Sequence, residues 1–361
     1  RHGGDAVAQG LERALLLLVV SCPCALVVSV PLSFFSGIGC ASRKGILIKG
    51  SGYMEQLAKL GVCVFDKTGT LTKGQFSLTE VHAQDGDNDA LLSMAAALEE
   101  NSNHPIARSI VSACPPEQRS AVSEFTEQPG LGVSGILDGA HICAGNRALM
   151  EHLGIVLSEE ESAGTVIHVA RENEYLGYLV IEDCEKDEAK QALAALHTQG
   201  VQKLVMLTGD REGAAKAVAS RLGIDEYHAS LLPGDKVGYV EGYLGKTGSV
   251  AFVGDGINDA PVLSRADVGI AMGAMGSDAA LEAADVVLMQ DKLTALPLAV
   301  RISRKTKRIV MENIVAALAV KAVVLVLGAL GVASMWIAIF ADVGVLILAV
   351  LNAMRALTIK D

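Results

Sequence analysis

The sequence has no excess of basic charge: 30 Lys and Arg face 41 Asp and Glu, a formal net charge of -11. Nucleic-acid binders carry a basic footprint, so that class is excluded. Charge of either sign is scarce, at 20% of residues, whereas 51% are hydrophobic. Disordered chains have the opposite balance and are excluded too. There is no basic-then-apolar leader and no initiating Met, so the opening at Arg1 is read as a cut in a longer protein. A disulfide framework is also missing, because the 7 cysteines are odd in number and scattered. A chain with its bulk in reducing cytosol is expected instead. Only Cys22 and Cys24 stand close enough to make a short motif.

What is present first is apolar length. From Ala14 to Ser42 no charged side chain occurs for 29 residues, enough to cross a bilayer. Ile314 to Val332 and Met335 to Met354 are two further apolar stretches, with Gly331 to Ser334 available for a tight turn. Lys321 and Asp342 interrupt them, and ionisable residues inside spans mark function. Arg43, Lys44 and Lys49 follow the first span. Arg301, Arg304, Lys305, Lys307 and Arg308 precede the second, and Arg355 and Lys360 follow the third. By the positive-inside rule all three clusters face the cytoplasm, with the whole of 43–311.

Within 43–311, three short apolar runs each end in a carboxylate-bearing loop. Val62–Phe65 leads into Asp66-Lys67-Thr68-Gly69-Thr70. Leu204–Leu207 leads into Thr208-Gly209-Asp210. Val250–Val253 leads into Gly254-Asp255-Gly256-Ile257-Asn258-Asp259. Short, unalternating runs suit parallel strands covered on both faces, with helices at Glu188 to His197 and Gly213 to Leu222 as crossovers. Ligands of such sheets sit beyond the carboxyl ends of the strands, so the three loops are expected to share a pocket. Asp66 can attack a phosphoryl group and carry it covalently. Asp255, Asp259 and Asn258 are hard oxygen ligands suited to Mg²⁺. Thr208 and Lys236 can stabilise charge developing on the transferred group. Glycines at these loops let backbone N–H groups approach its oxygens.

Asp66-Lys67-Thr68-Gly69-Thr70-Leu71-Thr72 resembles the phosphorylation signature of P-type ATPases. Thr208-Gly209-Asp210 and Gly254-Asp255-Gly256-Ile257-Asn258-Asp259-Ala260-Pro261 resemble that family's other two phosphorylation-domain motifs. The resemblance implies membrane α-helical spans plus an α/β part: a haloacid-dehalogenase-like phosphorylation domain with an inserted α+β nucleotide-binding domain. It implies catalytic roles for Asp66, Lys67, Thr68, Thr208, Gly209, Asp210 and Lys236. Mg²⁺ would be held by Asp66, Thr68, Asp255, Asn258 and Asp259. Asp183 and Lys186 fall where the family has an Asp and a basic residue, with Lys in place of the commoner Arg. Thr68 stands where phosphatases of the same superfamily carry a second Asp that hastens hydrolysis, which separates the chain from that rival.

Asn101-Ser102-Asn103-His104-Pro105 resembles the Ser-x-His-Pro signature of the heavy-metal branch, whose His orients ATP. Glu99, Pro105, Gly130 and Gly132 become nucleotide contacts on the same resemblance, and Gly145-Asn146 is a weaker match. Pro23 kinks the first span, and its neighbours Cys22 and Cys24 are soft ligands for Zn²⁺, Cd²⁺, Pb²⁺ or Cu⁺. Cys-Pro-Cys here is the hallmark of the heavy-metal branch. Asn313, Lys321 and the lone carboxylate Asp342 resemble the zinc/cadmium/lead members rather than the copper ones. Asp342 is the expected third ligand and Lys321 its counter-ion once the metal has left. Cys40 is expected to pack between helices, and Cys63, Cys114, Cys143 and Cys184 to be buried thiols.

The implied layout is an extracytoplasmic stub at 1–10, a span at 11–42, a linker helix at 43–59, and phosphorylation-domain parts at 60–77 and 178–298. The nucleotide-binding insert is 78–177, a basic linker 299–311, and two spans 312–332 and 335–356. The implied activity is ATP-driven export of a divalent soft metal from a multi-pass position in the cell membrane; a copper pump and a membrane-anchored phosphatase are the alternatives. No Thr-Gly-Glu occurs in the sequence. The family's actuator domain and earlier helices are therefore expected elsewhere, and these residues alone to bind nucleotide but not to pump.

Overall fold

An uncharged run that crosses lipid must satisfy its backbone internally, as a helix does. The computed structural model describes every residue except 1–9, 11–13, 15–23, 103, 158–163, 256–258, 274–281, 331, 333–334 and 359–361. Helix α1, Cys24–Arg43, buries only small residues: Ala25, Ser29, Ser33, Ser36, Gly37, Cys40 and Ala41. Small side chains let a neighbouring helix come close. Pro31 lies inside α1 and removes one backbone donor there. Strand β1 (Ile46–Ile48), helix α2 (Ser51–Ala58) and strand β2 (Leu60–Asp66) follow. Every residue of β2 is buried, as an apolar run without alternation requires.

The next stretch builds its own sheet. It holds β3 (Thr72–Ala83), α3 (Asn88–Glu99), α4 (Pro105–Ala113), β4 (Ser123–Gln128), β5 (Gly132–Leu137), β6 (Ala140–Gly145), α5 (Arg147–His152), β7 (Thr165–Arg171) and β8 (Glu174–Glu185). The six strands run β3-β8-β7-β6-β5-β4, each antiparallel to its neighbour. Leu91 and Leu98 of α3 and Ile110 of α4 join Val133, Ile142 and Leu179 in one core. The long pair β3–β8 runs through the positions expected as domain borders, 77/78 and 177/178.

Then come α6 (Ala189–Thr198), β9 (Lys203–Leu207), α7 (Glu212–Leu222), β10 (Glu226–His228), α8 (Pro233–Tyr243), β11 (Ser249–Gly254), α9 (Ala260–Arg265), β12 (Val268–Met272) and β13 (Val286–Leu288). With β1 and β2 they make a seven-stranded sheet, β1-β13-β12-β11-β2-β9-β10. β9/β10, β11/β12 and β12/β13 are parallel, and β1 is an antiparallel edge strand. The three strands that end in carboxylate loops, β11, β2 and β9, are neighbours in that order.

Helix α10, Ala295–Ala329, is 35 residues long and passes unbroken through 299–311, the stretch expected as a linker. Helix α11 is Met335–Met354. Among the described residues three helices are long and apolar enough to cross a membrane. A Cβ on Gly37 of α1 would lie 2.4 Å from Thr306 Oγ1 of α10, so those helices touch through glycine. The chain divides into two compact units, Arg1–Val64 with Gln191–Leu204 and Asp235–Asp361, and Phe65–Lys190 with Val205–Gly234.

Candidate functional site

In the second unit, β2 ends at Asp66, a buried carboxylate, and the chain turns through Lys67–Leu71. Gly69 takes φ +70°, which a side chain would resist, and this turn leaves Thr68 exposed beside Asp66. Buried Lys67 forms an ion pair with Asp210 from the loop after β9. Thr208, also buried, accepts a hydrogen bond at Oγ1 from Asp210 N at 3.1 Å, fixing that loop. A Cβ on Gly209 would approach Leu231 O to 3.3 Å. Thr72 Oγ1 donates to Asp183 Oδ2 at 2.5 Å, while buried Asp183 Oδ1 has no partner among the described residues. Burial pushes the Asp183 carboxyl above its ordinary range, against the lowering pull of the Thr72 hydroxyl and Lys67.

Lys67, Asp183, Gly209 and Asp210 line one wall of a cavity of about 370 Å³ within this unit. That volume is in the range of small-molecule sites. Asn146, Arg147 and His168 of the six-stranded sheet line it as well. Asn146 Nδ2 donates to Gly130 O at 2.7 Å and its backbone N to Leu131 O at 2.9 Å, clasping the glycine loop. Gly132 has φ +153°, and a Cβ there would lie 2.2 Å from Ala144 O, so only glycine fits. His168 is buried with Nδ1 3.0 Å from Tyr175 Oη; burial, then the Arg147 charge, lowers its pKa to about 4. Sequence reasoning missed Arg147 and His168; the Gly145-Asn146 match was the signal that led next to them.

Glu99 closes α3 in a buried position; burial and then the Glu127 charge push its pKa up to about 7. His104 is exposed and caps α4, its Nδ1 accepting from Ile106 N at 3.2 Å with Pro105 in the first turn. An accepting Nδ1 leaves the ring proton on Nε2, a donor.

In the first unit, β11 leads to half-buried Asp255 and on to Asp259 at the start of α9. Asp259 is buried and its Oδ1 lies 2.9 Å from Lys236 Nζ of α8. A Cβ on Gly254 would come within 2.8 Å of Asp259 Oδ2, so glycine lets the two sides of this loop meet. Asn258, with Gly256 and Ile257, lies outside the described residues.

The same unit holds the apolar helices. Cys24 opens α1 and is half-buried; Cys22 lies outside the described residues. Lys321 Nζ of α10 stands 3.3 Å from Asp342 Oδ1 of α11. Ala317, Val320, Val324 and Ala338 surround the pair, and the gap left beside it is about 10 Å³, room for one water at most. Cys40, Cys63, Cys114 and Cys143 are buried, while Cys184 is half-buried with Sγ donating to Ser77 Oγ at 3.0 Å. Among the described residues no three His, Cys, Asp or Glu side chains gather as a metal cage.

Residues 60–267 match the haloacid dehalogenase-like hydrolases. A cadmium, zinc and cobalt-transporting ATPase of Bacillus subtilis (strain 168) is 50% identical over 363 residues, covering 99% of this chain and 52% of that protein. A zinc-transporting ATPase of Synechocystis is 49% identical over 352 residues, covering 96% and 49%. The crystal structure of a zinc-transporting PIB-type ATPase in its E2.Pi state is similar at a TM-score of 0.86 and 38% identity, covering 96% of this chain and 58% of that one. The chain spans about half the length of the curated relatives it matches. It belongs to the haloacid dehalogenase-like hydrolases and, among them, to the heavy-metal-transporting P-type ATPases.

Proposed function

We propose that these residues are the catalytic and transport-site half of an ATP-driven exporter of divalent soft metal, Zn²⁺, Cd²⁺ or Pb²⁺. The observation that carries this reading is the Lys321–Asp342 pair between two apolar helices. A Lys and an Asp are both costly within a membrane and pair to lower that cost. A divalent cation and an ammonium repel, so a cation taken by Asp342 displaces the Lys321 ammonium from it. Lys321 then returns when the cation departs, a built-in counter-ion. Cys22 and Cys24 supply the soft ligands and Asp342 the charge that a divalent ion requires and Cu⁺ does not.

The energy enters at Asp66. One of its carboxylate oxygens attacks the γ-phosphorus of ATP; the bond from that phosphorus to the β,γ-bridging oxygen breaks, and its electron pair leaves with ADP. Lys67, positioned by Asp210, and Thr208 stabilise the charge on the transferred group. Lys236, held by Asp259, does the same from the other loop. ATP is held by Glu99, His104, Pro105, Gly130 and Gly132, with the His104 Nε2–H and, below pH 7, the Glu99 carboxyl as donors. Mg²⁺ would be held by oxygens drawn from Asp66, Thr68, Asp255, Asn258 and Asp259, with phosphate oxygens completing its shell. When bound it neutralises phosphate charge.

On this reading 60–77 and 178–298 form the phosphorylation domain, 78–177 the nucleotide-binding domain, and 43–311 lies in the cytoplasm of a multi-pass membrane protein. Full turnover calls on an actuator domain and further helices. The test is acid-stable labelling of the full-length protein from γ-labelled ATP, with metal dependence measured across Zn²⁺, Cd²⁺, Pb²⁺, Co²⁺ and Cu⁺. Labelling should vanish in Asp66→Asn and rise with divalent metal. Labelling that survives in Asp66→Asn, or that responds only to Cu⁺, overturns the proposal.

A further inference from the structure

Asn313 sits on α10 eight residues before Lys321, almost fully buried, with both amide N–H groups and its oxygen hydrogen-bonded. Nδ2 donates to Ser33 Oγ of α1 at 3.4 Å and to Ala349 O of α11 at 3.1 Å. Oδ1 accepts from Asn352 Nδ2 of α11 at 2.9 Å. Ser33 Oγ in turn donates to Ser29 O at 2.7 Å, beside Pro31, where α1 has lost a backbone donor. At the exposed end, Arg355 Nη1 reaches Glu312 Oε2 at 3.1 Å and Asn352 Oδ1 at 2.5 Å. One side chain thus bonds to both other apolar helices.

The spacing along each helix is what gives this a role. Ser33 is 9 residues after Cys24 on α1, Asn313 is 8 before Lys321 on α10, and Asn352 is 10 after Asp342 on α11. At about 1.5 Å per residue, the tie stands roughly 12–15 Å from the transport residues on all three helices. α1 buries only small side chains, which let its neighbours come close but offer few polar groups to fix their register. A directional polar tie at one level fixes the axial register of all three helices, which apolar contact alone specifies less sharply. Polar side chains buried between apolar helices are best attested in that register-setting role.

We infer that Asn313 is a positioning residue for the transport site: it locks the axial register of the three helices that carry Cys24, Lys321 and Asp342. The inference rests on the transport reading above, and the experiment separates the two. In the full-length protein in lipid, ATPase rate is measured against Zn²⁺ concentration for the unmodified protein, Asn313→Ala, Ser33→Ala and the double variant. The half-maximal Zn²⁺ concentration should rise about three- to tenfold in each single variant, the size of an interhelical hydrogen bond, with the maximal rate held within about twofold. The double variant should rise no further than Asn313→Ala, because both substitutions break one tie. Loss of folded protein lowers the maximal rate and leaves the half-maximal concentration in place. Ser33→Ala removes only a hydroxyl and keeps the test open where Asn313→Ala accumulates poorly. An unchanged half-maximal concentration in Ser33→Ala, or additive effects in the double variant, overturns the inference while leaving metal transport standing. No metal stimulation in the unmodified protein overturns both.

Discussion

Two Lys–Asp pairs sit in opposite surroundings. Lys67, 10% exposed, and Asp210, 36% exposed, meet on the wall of a cleft of about 370 Å³ that water can enter. Lys321 and Asp342 meet among apolar side chains at 14% and 20% exposure. In the cleft Asp210 is solvated and the buried Lys67 lines the wall, so water entering it can take the place of a departing carboxylate and the charges remain available for chemistry. Between apolar helices water is scarce, and loss of one partner leaves the other's charge far less well compensated. The same two residue types therefore make a charge-handling site in one place and a two-position latch in the other.

The largest effect should come from Asp342→Asn, which takes the carboxylate away from the Lys321 ammonium among apolar helices, at a cost on the order of 3–5 kcal/mol. Membrane accumulation and metal-stimulated ATPase should both fall, the latter more than about 100-fold. Adding Lys321→Met should restore accumulation without restoring stimulation; accumulation that stays low breaks the stranded-charge account.

Glu99 asks whether burial alone, away from any apolar helix, carries a comparable penalty. Its ordinary value of 4.5 is raised to about 7 by burial and then Glu127. Folded-state protonation is thus favoured: the stabilisation is complete below pH 4.5 and is lost as pH rises through about 7, by at most about 3 kcal/mol. Urea unfolding followed from pH 4.5 to 8 should show this decline, and Glu99→Gln should flatten it. A stability that climbs over that interval contradicts the burial argument.

The smallest change in stability is expected from Asp210→Asn, about 1 kcal/mol, because Asp210 faces solvent and Lys67 lines a cleft that water can enter. Phosphorylation of Asp66 should nevertheless slow. A melting point that drops as far as that of Asp342→Asn erases the contrast between the two settings.

The chemistry-bearing loops were legible because local sequence writes them. Short apolar runs ending in Asp66, Thr208 and Asp255 are strands with turns whatever surrounds them, and β2, β9 and β11 fall on those runs. The Lys321–Asp342 contact was also within reach, since two ionisable residues in neighbouring apolar stretches have few other partners. Arg147 and His168 were not, because their place at the cleft depends on β6 pairing with β7 and on the clasp of Asn146 over the glycine loop. Asn313 was visible as a polar residue near a span. Its hydrogen bonds depend on the rotation of three helices about their axes, which no local pattern encodes. Cys22 and Asn258, both read from motifs, lie outside the described residues.

Helix α10 has mechanical consequences beyond its packing. Between Pro297 in its first turn and Gly328 near its end it contains neither proline nor glycine, the usual causes of a kink. Its 35 residues make a rod of about 50 Å, longer than the hydrocarbon layer of about 30 Å. Such a rod works as a lever arm: a tilt of about 5° about one end carries the other through about 4 Å, most of a helical turn. Lys321 rides toward the far end of that arm, so small rotations where α10 begins become displacements large enough to part an ammonium from a carboxylate.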